Sequence, residues 1–336
     1  MDSGIHNMDL IINPTNKCNF NCSFCSASNI ENNDLTSQET INFIDKYKNN
    51  IDMIIFNGGD PLMMPVKYYE EILSYIDSID LKNNIHISFT SNLLDFYRFP
   101  LKWKPIFTHD KVGVITSFQF GNKRKLKNNK VYTENMFIDT INEFESYIGY
   151  KPDFISVTDY TNREYVIKTV SLAKKLDIKC KINKAMMLGR ETEYYPLYEY
   201  YKDLISIIDS DLYKYELNCK ELLEYIKFGN RSCPLNTECY KSIRTLNPDN
   251  LEYQCDKSSM ISNRYNLNNY RCDKYRLENK FVKIDCISCK YFKICNSCSS
   301  YIREVRIMKD EDNFCNNMKF VIPLLIKSLL SMKVKI

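Results

Sequence analysis

Histidine is nearly absent from this chain: three in 336 residues, with one Trp and eight Gly. So few imidazoles leave little from which to build a His-based metal or acid–base site. No apolar run is long enough to cross a bilayer; the most apolar late stretch, Phe320 to Leu330, is about half that length and is interrupted by Pro323 and Lys327. It reads as a terminal helix packed on the fold. The first residues, Met1 to Asn13, lack a basic segment followed by a long apolar one, so no export signal is expected. A large charge imbalance is missing too, with 46 Lys+Arg against 42 Asp+Glu. The densest basic stretch, Lys123 to Lys130, is broken by Asn and reads as a solvated loop rather than a nucleic-acid surface. These absences predict a cytoplasmic protein with neither nucleic acid nor membrane as partner.

Cysteine, in contrast, is abundant and unevenly spread. Of 14 in all, three lie at Cys18, Cys22 and Cys25, none follows until Cys180, and ten fall between Cys219 and Cys315. In a reducing compartment such thiols are metal ligands rather than cross-links. CxxxCxxC directly after a short apolar strand offers three soft sulfurs, one fewer than a four-iron cube needs, so one iron is left open to a reactant. Phe20 and Phe24 would keep water from an oxygen-sensitive centre. The alternative is a zinc site. It needs a fourth ligand, and neither His6 nor His86 is at ligand spacing.

Up to about residue 210, short β-branched runs alternate with longer amphipathic ones, which predicts a parallel α/β architecture. Strands are expected at Asp9–Asn13, Met53–Asn57, Ile85–Thr90, Val112–Phe118, Phe154–Thr158 and Ile178–Asn183. Helices are expected at Thr36–Lys48, with a Thr36/Glu39 capping box, and at Val66–Ile79, Thr133–Ile148 and Arg163–Leu176. Asp95 to Asp110, with Pro100 and Pro105, has no clear pattern. Six units are too few for a closed eight-stranded barrel. Ligands in such folds gather at the carboxyl ends of strands. There lie the Cys18 loop, then Gly58-Gly59-Asp60 after strand two, Ser91-Asn92 after strand three, Ser117 and Gln119 on strand four, and Asn183 on strand six.

The cysteine motif and its place after strand one resemble the cluster loop of radical S-adenosylmethionine (AdoMet) enzymes. The resemblance implies a partial (β/α)6 barrel over residues 1–210. Cys18, Cys22 and Cys25 would hold a 4Fe-4S cluster whose open iron is chelated by AdoMet, and reductive cleavage would give a 5′-deoxyadenosyl radical. It implies AdoMet contacts from Phe24, from Gly58, Gly59 and Asp60 (where Glu is commoner), and from Ser91, Asn92, Ser117, Gln119 and Asn183. Residues 211–336, with their crowded cysteines and terminal helix, resemble the SPASM extension that binds two auxiliary 4Fe-4S clusters. Carried over by position, Cys233, Cys239, Cys255 and Cys298 would hold the first, and Cys286, Cys289, Cys295 and Cys315 the second. Two departures stand out. Asn250 replaces the usual Gly in the bend Asn247 to Asn250, and Cys298 lies one residue closer to Cys295 than in the family, which leaves Cys272 as its substitute. Cys180 and Cys219 have no role beyond packing. By the same resemblance Asp256, next to Cys255, is a candidate general base.

These features imply an oxidoreductase that modifies a peptide or protein, such as a ribosomally made precursor, with flavodoxin or ferredoxin as reductant. The chain begins almost at the barrel, so no separate N-terminal peptide-recognition domain is expected. A formylglycine-forming sulfatase-maturing activity and dehydrogenation of a small metabolite are the enzymatic alternatives. A zinc-stabilised binding module is the non-enzymatic one.

Overall fold

A computed structural model describes residues 8–27, 33–79, 85–229, 242–255, 286, 288–295 and 298–333. The fold is α/β and follows the strand–helix order of a partial barrel. All six expected strands are present: β1 (Met8–Ile12), β2 (Ile51–Phe56), β3 (His86–Thr90), β4 (Val112–Ser117), β5 (Asp153–Thr158) and β6 (Cys180–Lys184). The chain divides into two compact units. The first comprises the described parts of Met1–Phe118, Asn122–Asp153 and Cys239–Cys272; the second holds Gln119–Gly121 and the described parts of Phe154–Glu238 and Asp273–Ile336.

In the first unit β1 to β4 pair in parallel, each with the next. Leu10, Ile12, Ile54, Phe56, Ile87 and Phe89 share one face of this sheet and are all buried, while Ile11 and Ile55 on the other face are half-buried. Two strands the sequence reading missed extend it. β7 (Ile243–Leu246) pairs in parallel with the free side of β1, and β8 (Glu252–Tyr253) returns antiparallel to β7. Between them Asn250 takes φ 55°, the left-handed bend foreseen for it. Helix α1 (Ser37–Tyr47) opens with the expected reciprocal cap, in which the Thr36 hydroxyl accepts from the Glu39 N–H and the Thr36 N–H donates to the Glu39 carboxylate. Helix α2 (Val66–Ser78) sends Tyr69 into an aromatic core with Phe56, Phe89 and Trp103.

The stretch that resisted reading is two short helices, α3 (Leu94–Arg98) and α4 (Pro100–Phe107). Pro100 occupies the first turn of α4, where its missing N–H costs nothing. Packing overrides Pro105: Trp103 is fully buried and its indole N–H donates to Asp95 at 2.7 Å. Helix α5 (Glu134–Ile148) is capped by Thr133 and ends at Gly149, φ 91°.

The second unit carries β5, from Phe154 on, paired in parallel with β6, and helices α6 (Val166–Leu176), α7 (Leu197–Asp209) and α8 (Leu217–Phe228). Further along the chain in this unit come α9 (Phe292–Cys295), α10 (Ser299–Ile307) and α11 (Glu311–Ser331). The late apolar stretch is therefore the second half of a 21-residue helix that buries Met318, Val321, Ile322, Leu325 and Leu329. Among the described residues no helix is long and apolar enough to cross a membrane. At the end of β6 the Lys184 ammonium pairs at 2.6 Å with Glu304 of α10, both side chains almost wholly buried. Cys180 and Cys219 are fully buried.

Candidate functional site

Three loops leaving the carboxyl ends of β1, β2 and β3 meet within the first unit, and the two glycines explain how they fit. A Cβ on Gly59 would lie 2.3 Å from the Lys17 carbonyl oxygen and 2.5 Å from that of Asn16; one on Gly58, where φ is +105°, would lie 2.6 Å from the Thr15 oxygen. The Gly59 N–H donates to Thr15 and the Asp60 N–H to Lys17, each at 2.9 Å. The close backbone approach made by this turn is thus to the lead-in of the cysteine loop.

Asp60 locks the third loop to the second. Its carboxylate accepts from the Leu62 N–H at 2.9 Å, the Asn92 N–H at 2.9 Å and the Ser91 hydroxyl at 3.0 Å. Burial pushes its pKa up to about 6, against the pull of these three donors. With its acceptors used inside the fold, Asp60 positions the loops. Asn92 faces the cysteines: its side-chain N–H₂ donates to Asn19 Oδ1 at 2.7 Å and lies 3.7 Å from Cys18 Sγ.

Cys22 and Cys25 lie near enough to Cys18 to raise its proton affinity. Burial first, and then the charge of Asp60, push the Cys18 thiol up to about 12; the Phe20 N–H pulls the other way, while Cys25 and Cys22 add to the rise. Metal binding must therefore displace a firmly held proton. Among the described residues no three His, Cys, Asp or Glu are placed to hold a single ion.

Phe24 is half-buried, and Phe20 packs edge-on against Tyr132 with ring centroids 5.0 Å apart. Over both rings sits Arg124, a residue the sequence reading had assigned to a solvated loop. It is buried, donates to the Ser117 hydroxyl, and leaves its Nε–H without an acceptor. Among the described residues no carboxylate pairs with it. The only sequence signal was its place inside a basic run, which hid one buried cation among exposed lysines.

In the second unit Gln119 is buried with neither amide atom hydrogen-bonded, and Asn183 is half-buried on β6. A buried amide missing every partner is rare and marks a place for a polar ligand. Also here, four cysteines from separate segments converge: burial raises the Cys295 thiol, and Cys286, Cys315 and Cys289 raise it further. These are the four expected to share one auxiliary site. Cys298 stands at the N-terminus of α10. Cys255 is half-buried in the first unit. Cys233, Cys239, Cys272 and Asp256 lie outside the described residues.

The donor sets fit iron–sulfur chemistry: three soft thiols in one loop, with an amide N–H beside one sulfur. In the first unit, a buried guanidinium without a carboxylate fits the carboxylate of a zwitterionic ligand such as AdoMet.

Comparison with known proteins agrees. Residues 12–173 match the model of the Radical SAM superfamily. An uncharacterized protein of Methanocaldococcus jannaschii, MJ0907, is 36% identical over 86 residues, which is 25% of this chain and 29% of that protein. The chain thus matches less than a third of that relative's length. Among solved structures, anSMEcpe with bound AdoMet and Cp18Cys peptide superposes with a TM-score of 0.70 at 17% identity, over 97% of this chain and 100% of that one. Streptococcus suis SuiB bound to the precursor peptide SuiA gives 0.61 at 14% identity, over 87% and 72%. At such identities the likeness is one of fold.

Proposed function

We propose that this chain reductively cleaves AdoMet and uses the resulting 5′-deoxyadenosyl radical to oxidise a peptide or protein. The observation that carries the reading is the meeting of Cys18, Cys22 and Cys25 with the glycine turn and with Asn92 at the carboxyl ends of adjacent parallel strands. A 4Fe-4S cluster bound there supplies the single electron that AdoMet cleavage needs. The chain's own residues do the rest. The three thiols would ligate the cluster, leaving one iron for AdoMet, and the Asn92 amide would hydrogen-bond the Cys18 sulfur and help set the potential. Phe20 and Tyr132 exclude water on one side. Arg124 is suited to the AdoMet carboxylate, since a buried cation gains most from an anion that arrives with the ligand. Gln119 and Asn183 are suited to polar groups of AdoMet or substrate.

Two peptide-bound neighbours of the same fold favour a peptide substrate here. The converging Cys286, Cys289, Cys295 and Cys315 would hold an auxiliary cluster to carry away the second electron of the oxidation. By the family resemblance alone, Cys233, Cys239, Cys255 and Cys298 would hold the other.

Cys22→Ala tests the reading: with dithionite and AdoMet it should form no 5′-deoxyadenosine while keeping its auxiliary iron. Undiminished cleavage would refute it. Cys289→Ala should still cleave AdoMet but yield no oxidised peptide.

A further inference from the structure

The basic stretch expected to be a solvated loop is anchored to the cysteine loop by its backbone. The Asn21 N–H donates to the Lys125 carbonyl at 2.7 Å, the Ser23 N–H to Lys123 at 3.0 Å, and the Lys127 N–H to Asn19 at 3.0 Å, with Phe20 and Leu126 bridged antiparallel. The stretch is itself a small hairpin. Lys125 faces Val131, the Leu126 N–H donates to Lys130 at 2.8 Å, and Asn129 makes the turn at φ 65° while its side chain accepts from Asn21. Leu126 and Arg124 are buried, Lys125 is half-buried, and Lys127 and Lys130 are exposed. Among the described residues Lys125, Lys127 and Lys130 make no ion pair. No acidic residue occurs between Asp110 and Glu134, nor from Asn13 to Ala27 in the cysteine loop.

From this we infer that the Lys123–Lys130 hairpin is the docking surface for an acidic one-electron carrier protein that reduces the centre in the cysteine loop. The inference rests on the function proposed above. Its reasoning is electrostatic. A chain with a net charge of only +4 places Lys125, Lys127 and Lys130, which make no ion pair among the described residues, on one hairpin, and that hairpin is hydrogen-bonded to the very loop an electron must reach. Fields of this kind raise association rates with an oppositely charged partner by ten- to about a thousandfold and fade with salt. The balance is simple: the carrier loses one electron, and one AdoMet C–S bond is broken per electron, giving methionine and the 5′-deoxyadenosyl radical. An acidic peptide substrate is the competing occupant.

The test uses the whole chain with K125E, K127E and K130E combined, and an acidic flavodoxin as probe. Direct binding by surface plasmon resonance, which needs no turnover, should weaken at least about tenfold in the variant, and the wild-type affinity should fall steeply between low and physiological salt. Formation of 5′-deoxyadenosine driven by reduced flavodoxin should fall in step, while the dithionite-driven rate stays at the wild-type value. The Gln versions of the three substitutions should give the same pattern with a smaller loss, which guards against a hairpin unsettled by charge reversal. Equal flavodoxin affinity for variant and wild type overturns the inference. So does an equal loss with both reductants, or a raised peptide KM under dithionite, which would give the hairpin to the substrate. Absence of any dithionite-driven cleavage by the wild type would instead sink the proposed function, and the docking role with it.

Discussion

Gly59→Ala should damage the cysteine loop without touching a cysteine. The added methyl would sit 2.3 Å from the Lys17 carbonyl oxygen, 2.5 Å from the Asn16 oxygen and 2.6 Å from the Asn16 carbonyl carbon. All three are backbone atoms, so no side chain can swing aside, and relief requires the loop to retreat by roughly 1 Å, comparable with the overpacking known to cost about 1–3 kcal/mol. That retreat stretches the hydrogen bonds from Gly59 to Thr15 and from Asp60 to Lys17, worth about 1 kcal/mol each. The combined cost is about 3–5 kcal/mol, on the segment that leads into Cys18. Gly149→Ala is the control: nothing lies within 4 Å of its added methyl, and its cost is the left-handed backbone alone, about 1–2 kcal/mol. Thermal unfolding and iron content after anaerobic reconstitution read the two. The Gly59 variant should melt well below the Gly149 variant and lose about four irons per chain, one cube's worth. Equal melting points, with full iron in both, would refute the claim that this glycine exists to seat the cysteine loop.

Further expectations concern buried charge. Glu304→Ala leaves the Lys184 ammonium buried and unpaired and should cost about 3–5 kcal/mol, whereas Lys184→Met combined with Glu304→Leu should recover most of the loss in thermal unfolding; no recovery would show that the pair matters through more than its charges. Asp60, held near 6 in the fold against 3.8 unfolded, favours folding below pH 3.8 relative to an ionised carboxylate, and that advantage is lost as pH rises through 6. The melting-point difference between Asp60→Asn and wild type should therefore shift in favour of Asn between pH 4 and 7, and a flat difference would contradict a raised carboxyl.

Much of this was legible in the residues because local signals agreed with the tertiary result. The alternation of strand and helix, the Thr36 box and the Asn250 bend each have a short-range cause, and each appears where the pattern put it. β7 escaped because four residues carry too little periodicity, and its partner β1 is more than two hundred positions away. Arg124 escaped for a different reason. Its neighbours Lys123 and Lys125 have the same charge, and only the hairpin's register turns one residue in while its neighbours stay at the surface. The glycine turn was found by its motif, but the motif cannot say which surface fills the missing Cβ. That answer needed coordinates.

The late arrival of β7 beside β1 has a consequence during synthesis. One side of the first strand has no partner until the ribosome has delivered Leu246, so the nascent sheet carries an open edge through most of translation. The Asn13 N–H, at the entrance to the cysteine loop, bonds the Leu246 carbonyl at 2.9 Å, and its side chain donates to Asn247 at 2.6 Å. Final setting of the amino-terminal loop thus waits on residues more than two hundred positions downstream, and a truncated product ending before them would emerge with its cysteine loop unbraced.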